Sequence, residues 1–178
     1  PNEGQADSCL QALEKISESF IDIDYPIYIA PCDSIIKINT SEIFSGTDSH
    51  GLVVSTSNPF LRLNPTSYSY TSENDKKNLE IVVKRLPPKD LIVETNTLTG
   101  AFYSGSFKSL YKDLKDLYGK IEFINEERYL DSFFKYLLSK DKNKISVSKA
   151  LDYNSIGTPL EYRTAIYWNE FLNSLKNS

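Results

Sequence analysis

Proline fixes φ and lacks an amide hydrogen, so few places in a fold suit it; the first turn of a helix is one. Pro159 follows the run Tyr153-Asn154-Ser155-Ile156 and the pair Gly157-Thr158. The run reads as a strand, Gly157-Thr158 as a tight turn, and Pro159 as the opening of a helix. A strand handing over directly to a helix is the kind of connection from which layered α/β domains are built.

The same alternation runs upstream. Asp7 to Ser19 reads as a helix, with Leu10, Leu13, Ile16 and Phe20 at helical spacing. Tyr25 to Ala30 is a short apolar run of the kind that makes a buried strand, ending in the polar turn Pro31-Cys32-Asp33-Ser34. Leu52 to Thr56 is a second strand. Ser67 to Tyr70 and Leu79 to Lys84 read as a hairpin around the polar stretch 72–77, and 58–65 and 76–78 read as loops. Thr97 to Tyr103 is a strand, Ser106 to Tyr118 an amphipathic helix, and Glu126 to Ser139 a further helix. Lys144 to Ser148 is a strand leading to the Gly157 turn. The terminal helix carries Tyr162, Ile166, Phe171 and Leu175, with Trp168 read as its packing residue. This order predicts an α/β fold with a mixed, mostly parallel, layered sheet.

At 178 residues the chain suits a single domain spanning 1–178. A net charge of −4 with no basic block argues against a nucleic-acid partner. No apolar run approaches the ~20 residues of a membrane helix, and the start is polar, so the expected setting is cytoplasmic. Cys9 and Cys32 lie far apart without metal spacing and read as reduced thiols. The seven glycines are scattered and form no phosphate loop. That, the early helix and the absence of methionine suggest a piece of a longer protein.

Asp33 admits two readings. A carboxylate at the end of a buried strand is placed to hold a divalent ion, since magnesium takes one or two carboxylates with phosphates and waters at ~2.0–2.1 Å. It is equally a residue that caps the next segment. His50 is the only histidine, without a partner motif, and reads as structural or exposed.

Five stretches in order resemble the sugar-phosphate nucleotidyltransferase family, over nearly the whole chain. Gly4-Gln5-Ala6-Asp7 resembles the segment that contacts the nucleotide base, and Ile29-Ala30-Pro31-Cys32-Asp33-Ser34 the strand whose aspartate binds the catalytic magnesium. Gly100-Ala101-Phe102-Tyr103 resembles the glycine-containing strand beside the sugar. Asn125-Glu126-Glu127-Arg128-Tyr129-Leu130-Asp131-Ser132 resembles the acidic segment opening a helix near the sugar hydroxyls. Gly157-Thr158-Pro159 matches the closing turn. The run from Asn58-Pro59 to Tyr70, followed by Val82-Val83-Lys84, resembles the variety associated with capsule and surface polysaccharides.

The resemblance implies a Rossmann-like nucleotide-diphospho-sugar transferase fold without its N-terminal strand-loop unit. It implies Mg2+ as cofactor, and a nucleoside triphosphate and a sugar 1-phosphate as partners, joined with release of pyrophosphate. Asp33 takes the catalytic, metal-holding place, and Gly4 and Gln5 the nucleotide place. Lys84, Gly100, Glu127 and Asp131 take the sugar-phosphate places. Against this stand plainer readings: Lys84 and Arg85 as edge-strand charges, Glu127 and Asp131 as a helix N-terminus favoured by the macrodipole. Tyr68, Tyr70, Phe102 and Tyr103 are either a sugar platform or core.

The chain departs from the family twice. Many members carry a second metal-binding aspartate two residues before the glycine of the closing turn, where Ser155 stands here. The glycine-rich loop and its catalytic cation are missing, so the expectation is little or no turnover by this polypeptide alone. A related glycosyltransferase and a non-catalytic sugar- or nucleotide-binding module are the alternatives. The former normally brings an Asp-x-Asp pair, and this chain offers Asp33-Ser34-Ile35.

Overall fold

The computed structural model describes residues 3–19, 24–44, 50–56, 65–73, 79–84, 96–141 and 145–176. The loops read at 58–65 and 76–78, the residues Phe20, Arg85 and Lys144, and the Asn58-Pro59 hallmark lie outside them, apart from Pro65. In chain order the elements are α1 (Gln5–Ser19), β1 (Ile27–Ile29), β2 (Ser34–Lys37), α2 (Thr40–Ile43), β3 (His50–Ser55), β4 (Tyr70–Glu73), β5 (Leu79–Val82) and β6 (Asn96–Ser104). There follow α3 (Phe107–Leu117), β7 (Phe123–Ile124), β8 (Glu127–Arg128), α4 (Leu130–Lys140), β9 (Ile145–Lys149), β10 (Asp152–Ser155) and α5 (Pro159–Lys176), with short 3₁₀ turns at Pro65–Ser67 and Tyr118–Lys120.

The main sheet runs β5-β4-β6-β3-β9, with β1 also on β6. Every pairing in it is antiparallel except β3 with β9. The sheet is mixed, as expected, but mostly antiparallel, so the mostly parallel expectation is corrected. Periodicity marks strands and helices; it says nothing about which strand lies beside which, and here β6 draws β1, β3 and β4 to itself, all antiparallel.

The strand β6 positions the site. Its residues at 102–104 pair with β1 on one edge and β3 on the other, while Thr97 pairs with Tyr70 of β4 and Ser55 of β3. One edge of β6 therefore passes from β4 to β1, leaving a split beside residues 98–101. Against β3 the register slips there: Leu52 opposes Phe102 and Val54 opposes Leu98. The extra β6 residues bulge, Gly100 takes φ 79, and the Thr99 hydroxyl donates to the Val53 carbonyl at 2.9 Å. An interior glycine in a strand pattern is the residue that permits such a bulge.

Helices cover one face of the sheet. Leu52, Val54 and Phe102 pack with Leu13 of α1, Leu110 and Leu114 of α3, and Phe133 and Phe134 of α4, the Phe102 and Phe134 rings stacked at 4.6 Å. On the other face Val53, Ala101 and Tyr103 meet Ile43 of α2 and Ile36 of β2. This double coverage buries every residue of β3. Tyr70, Phe102 and Tyr103 are thus core, settling three of the four aromatics. His50 opens β3 and is buried, with Nδ1 2.9 Å from Ser104 Oγ and Nε2 3.0 Å from Asp113 Oδ2. It is structural, although no loop residue.

Two expectations change at element ends. The helix read from Glu126 begins at Leu130; residues 123–128 form a two-stranded hairpin instead. Asn125 and Glu126 sit at φ 51 and 65, a turn that suits tight hairpins. The terminal helix begins at Pro159, as read, but Trp168 is 53 % exposed and packs no core.

Candidate functional site

The split in the sheet opens into a cleft of about 410 Å³. One wall is the small β2–β10 sheet, in which Ser34 pairs with Ser155. Asp33 precedes that pair, its carbonyl accepting from Ile156 N at 2.9 Å. A Cβ on Gly157 would lie 2.7 Å from Asp33 Oδ2, so a side chain there would make the carboxylate turn aside from its place at the closing turn. Tyr153 and Ser155 line the same wall. Burial pushes the Tyr153 phenol up, the Asp33 charge adds to this, and a hydrogen bond with Ser155 opposes it.

The second wall is built by Ser67 to Ser69, Lys84, Tyr129 and Asp131. Lys84 leaves β5 at φ 45, a region non-glycine residues seldom adopt, and its Nζ donates to the Ser67 carbonyl. It also stands 5.5 Å above the Tyr129 ring. Asp131, in the first turn of α4, is buried. Burial pushes its carboxyl up, with the Ser69 hydroxyl and the Lys84 charge opposing. Burial outweighs both, and Asp131 Oδ1 is left without a hydrogen-bond partner. Tyr129 is pushed up to about 12, by burial first and then by a hydrogen bond to Glu127.

Glu161 joins the two walls, and sequence reasoning passed it over. It is 3 % exposed, accepts from the Tyr68 hydroxyl, and accepts from Thr158 N at 2.8 Å. Its own N–H donates to Thr158 Oγ1 at 3.3 Å, completing a capping box. The Thr158-Pro159-Leu160-Glu161 spacing carries that signal, although its burial in a cleft is invisible in one dimension. Tyr68, the fourth aromatic, lines the cleft.

The cleft therefore gathers Gln5, Asp33, Lys84, Gly100 and Asp131. Gly4 and Glu127 do not line it. A Cβ on Gly4 would lie 2.9 Å from both backbone N and O of Arg128, so Gly4 packs on β8, where Arg128 N donates to Glu3 O at 2.7 Å. Glu127 is exposed and turned to the Tyr129 hydroxyl. The hairpin that replaces the expected helix start carries it away from the cleft. Gln5 Oε1 accepts from Leu130 N at 3.4 Å, tying α1 to the start of α4.

Among the described lining residues, three carboxylates (Asp33, Asp131, Glu161) face one cation, Lys84. A phosphate entering such a cleft meets net negative charge unless a cation accompanies it. No group of three acidic, histidine or cysteine side chains suited to a metal occurs among the described residues. Both cysteines are free, and burial pushes the Cys9 thiol up to about 11.

No protein-family model and no curated protein sequence matches the chain. Solved structures do. A nucleoside-diphosphate-sugar pyrophosphorylase from Vibrio cholerae RC9 superposes with a TM-score of 0.59 at 15% identity, over 91% of this chain and 64% of that one. The inositol-1-phosphate CTP transferase from T. maritima superposes with a TM-score of 0.58 at 17% identity, over 90% of this chain and 58% of that one. This chain spans less than two thirds of either neighbour. At these identities the likeness is one of fold: the chain folds like sugar-phosphate nucleotidyltransferases.

Proposed function

We propose that this chain forms the metal- and sugar-phosphate-binding side of a Mg2+-dependent nucleotidyltransferase. The reaction joins a nucleoside triphosphate to a sugar 1-phosphate, in the cytoplasm, for capsule or surface polysaccharide. A phosphate oxygen of the sugar 1-phosphate attacks the α-phosphorus; the bond to the β-phosphate oxygen breaks, and its electron pair leaves with pyrophosphate. Asp33 holds the ion, which when bound offsets phosphate charge. Gln5 lies on the base side, with Gly4 behind it. Lys84 meets the sugar phosphate as a mobile point charge. Gly100 gives close backbone approach, and Asp131 accepts from a sugar hydroxyl. Glu127 acts through Tyr129 rather than by touching substrate.

The observation that carries this reading is the meeting of Asp33, Gly100, Lys84 and Asp131 in one cleft at the split of the sheet, closed by the Gly157 turn. The scattered glycines of the chain support a second reading, a sugar- or nucleotide-binding module without turnover. Calorimetric titration with Mg-CTP, Mg-UTP and glucose 1-phosphate, followed by a pyrophosphate-release assay, separates the two. Binding of nucleotide and sugar phosphate with release, by this chain or by a longer product that carries a glycine-rich loop, supports the enzyme, and binding without release by both supports the module. Absence of both kinds of binding refutes the two readings together.

A further inference from the structure

The C-terminal helix α5 spans 18 residues, and of its side chains only Glu161 is buried. Thr164 and Ala165 are half-buried; from Ile166 onward every described residue is exposed. Yet the helix is rich in large apolar groups. Leu160, Tyr167, Trp168, Phe171, Leu172 and Leu175 are each 42–61 % exposed. At ~100° per residue these six fall within an arc of about 140°. Leu160, Thr164, Tyr167, Phe171 and Leu175 follow one another in steps of three and four residues, the spacing of a seam between paired helices. The rings are already gathered: Tyr167 stacks on Phe171 at 6.4 Å, and Trp168 lies edge-on to both at 5.5 and 5.8 Å.

We propose that α5 pairs antiparallel with α5 of a second copy of this chain, about a two-fold axis near Tyr167. Two arguments select this occupant. The first is area: six half-exposed large side chains offer about 100 Å² each, or ~600 Å² per copy. Two copies together would cover ~1,200 Å², the lower end of specific interfaces, and a large patch for a monomer to leave bare.

The second argument is charge. Arg163 and Glu170 lie on the same flank of the seam and on opposite sides of its midpoint, which falls between Tyr167 and Trp168. Antiparallel pairing about that midpoint brings Arg163 of each copy to about two residues, ~3 Å along the axis, from the level of Glu170 of the other, within reach of these long side chains, so one flank of the pair gains two opposite-charge pairs. Leu160 then faces Leu175, and Trp168 lies next to its own counterpart across the axis. Because Thr158 and Glu161 at the start of α5 line the cleft, the pairing braces one wall of the site.

The test is sedimentation velocity of the 178-residue protein at about 1–200 µM, with the emission of Trp168, the only tryptophan, followed over the same range. The expected result is a reversible shift from 20.3 kDa to twice that mass, accompanied by a blue shift of the emission. Phe171→Glu removes both shifts and leaves far-UV circular dichroism unchanged, since Phe171 contributes to no core. Arg163→Glu weakens the dimer about tenfold, and adding Glu170→Arg to it restores the affinity. A monomer at every concentration overturns the proposal. So does a dimer that survives Phe171→Glu or leaves the Trp168 emission unmoved, because the pairing then uses another surface.

Discussion

Asp33 and Asp131 line one cleft, yet the fold treats them in opposite ways. Asp33 sits in an exposed turn between two short strands, its carboxylate close against the bare backbone of Gly157. Asp131 sits at the start of a helix, buried, with one oxygen lacking a hydrogen-bond partner and Lys84 nearby. The first is open to an ion that brings its own waters. The second has lost its water, and its Oδ1 is left without a donor. Residue type alone assigns neither role; the environment separates them.

The largest effect is expected at Asp33. Asp33→Asn keeps the shape of the side chain and removes its charge, so Mg-dependent retention of nucleotide falls about 100-fold. Metal-free binding of glucose 1-phosphate stays within twofold. Calorimetry with and without Mg2+ checks the pair of values; equal losses in both would dissolve the contrast between the two walls.

Gly157→Ala probes the same wall less directly. The added methyl would sit 2.7 Å from Asp33 Oδ2, so the carboxylate has to turn aside. Nucleotide binding with Mg2+ weakens about tenfold, and the pH dependence of folding is unaltered. A variant that binds like the parent would mean that Asp33 has another rotamer equally suited to the ion.

How far these contrasts could be read in advance differs by residue. The turn at Gly157, the helix start at Pro159 and the helix after Ser106 rest on local rules, and each stands where the pattern puts it; the hairpin of β4 and β5 forms too, but its first strand is Tyr70–Glu73 rather than Ser67–Tyr70. The sheet's polarity does not, because pairing is decided by contacts far apart in sequence. The helix read from Glu126 starts later for a local reason. A two-residue turn at Asn125-Glu126 made a hairpin of what charge spacing presented as a helix start. The spacing from Thr158 marks Glu161 as a cap, but its burial beside the cleft, like that of Ser69, carries no sign in the sequence, since it emerges only when distant walls meet. Trp168 shows the reverse: an apolar periodicity marks a face without saying what covers it.

Gly100→Ala tests the split that separates the two walls. A Cβ there would lie 3.5 Å from Pro31, an ordinary contact, so the cost is that of holding alanine at φ 79. Stability falls by about 1 kcal/mol, read as a lower urea midpoint at constant slope. A loss well above that would reveal packing around the bulge beyond the backbone strain.

Asp131→Asn is expected to have the smallest effect and a sign opposite to most core substitutions. Burial raises the carboxyl in the folded protein above its unfolded value of about 3.9. The folded state therefore favours the protonated form. That preference stabilises the fold fully below pH ~3.9 and is lost as pH rises through the folded value. Asparagine carries no such charge, and its amide can donate to Ser69 Oγ. The variant should match the parent near pH 4 and exceed it by about 0.5–1 kcal/mol at pH 7, with the gap widening between. Glucose 1-phosphate binding should meanwhile weaken, because a sugar hydroxyl loses its charged acceptor. Urea titrations at pH 4, 5.5 and 7 decide the matter. Parallel stability curves would show that Lys84 already neutralises Asp131 and that the two walls differ less than their burial implies.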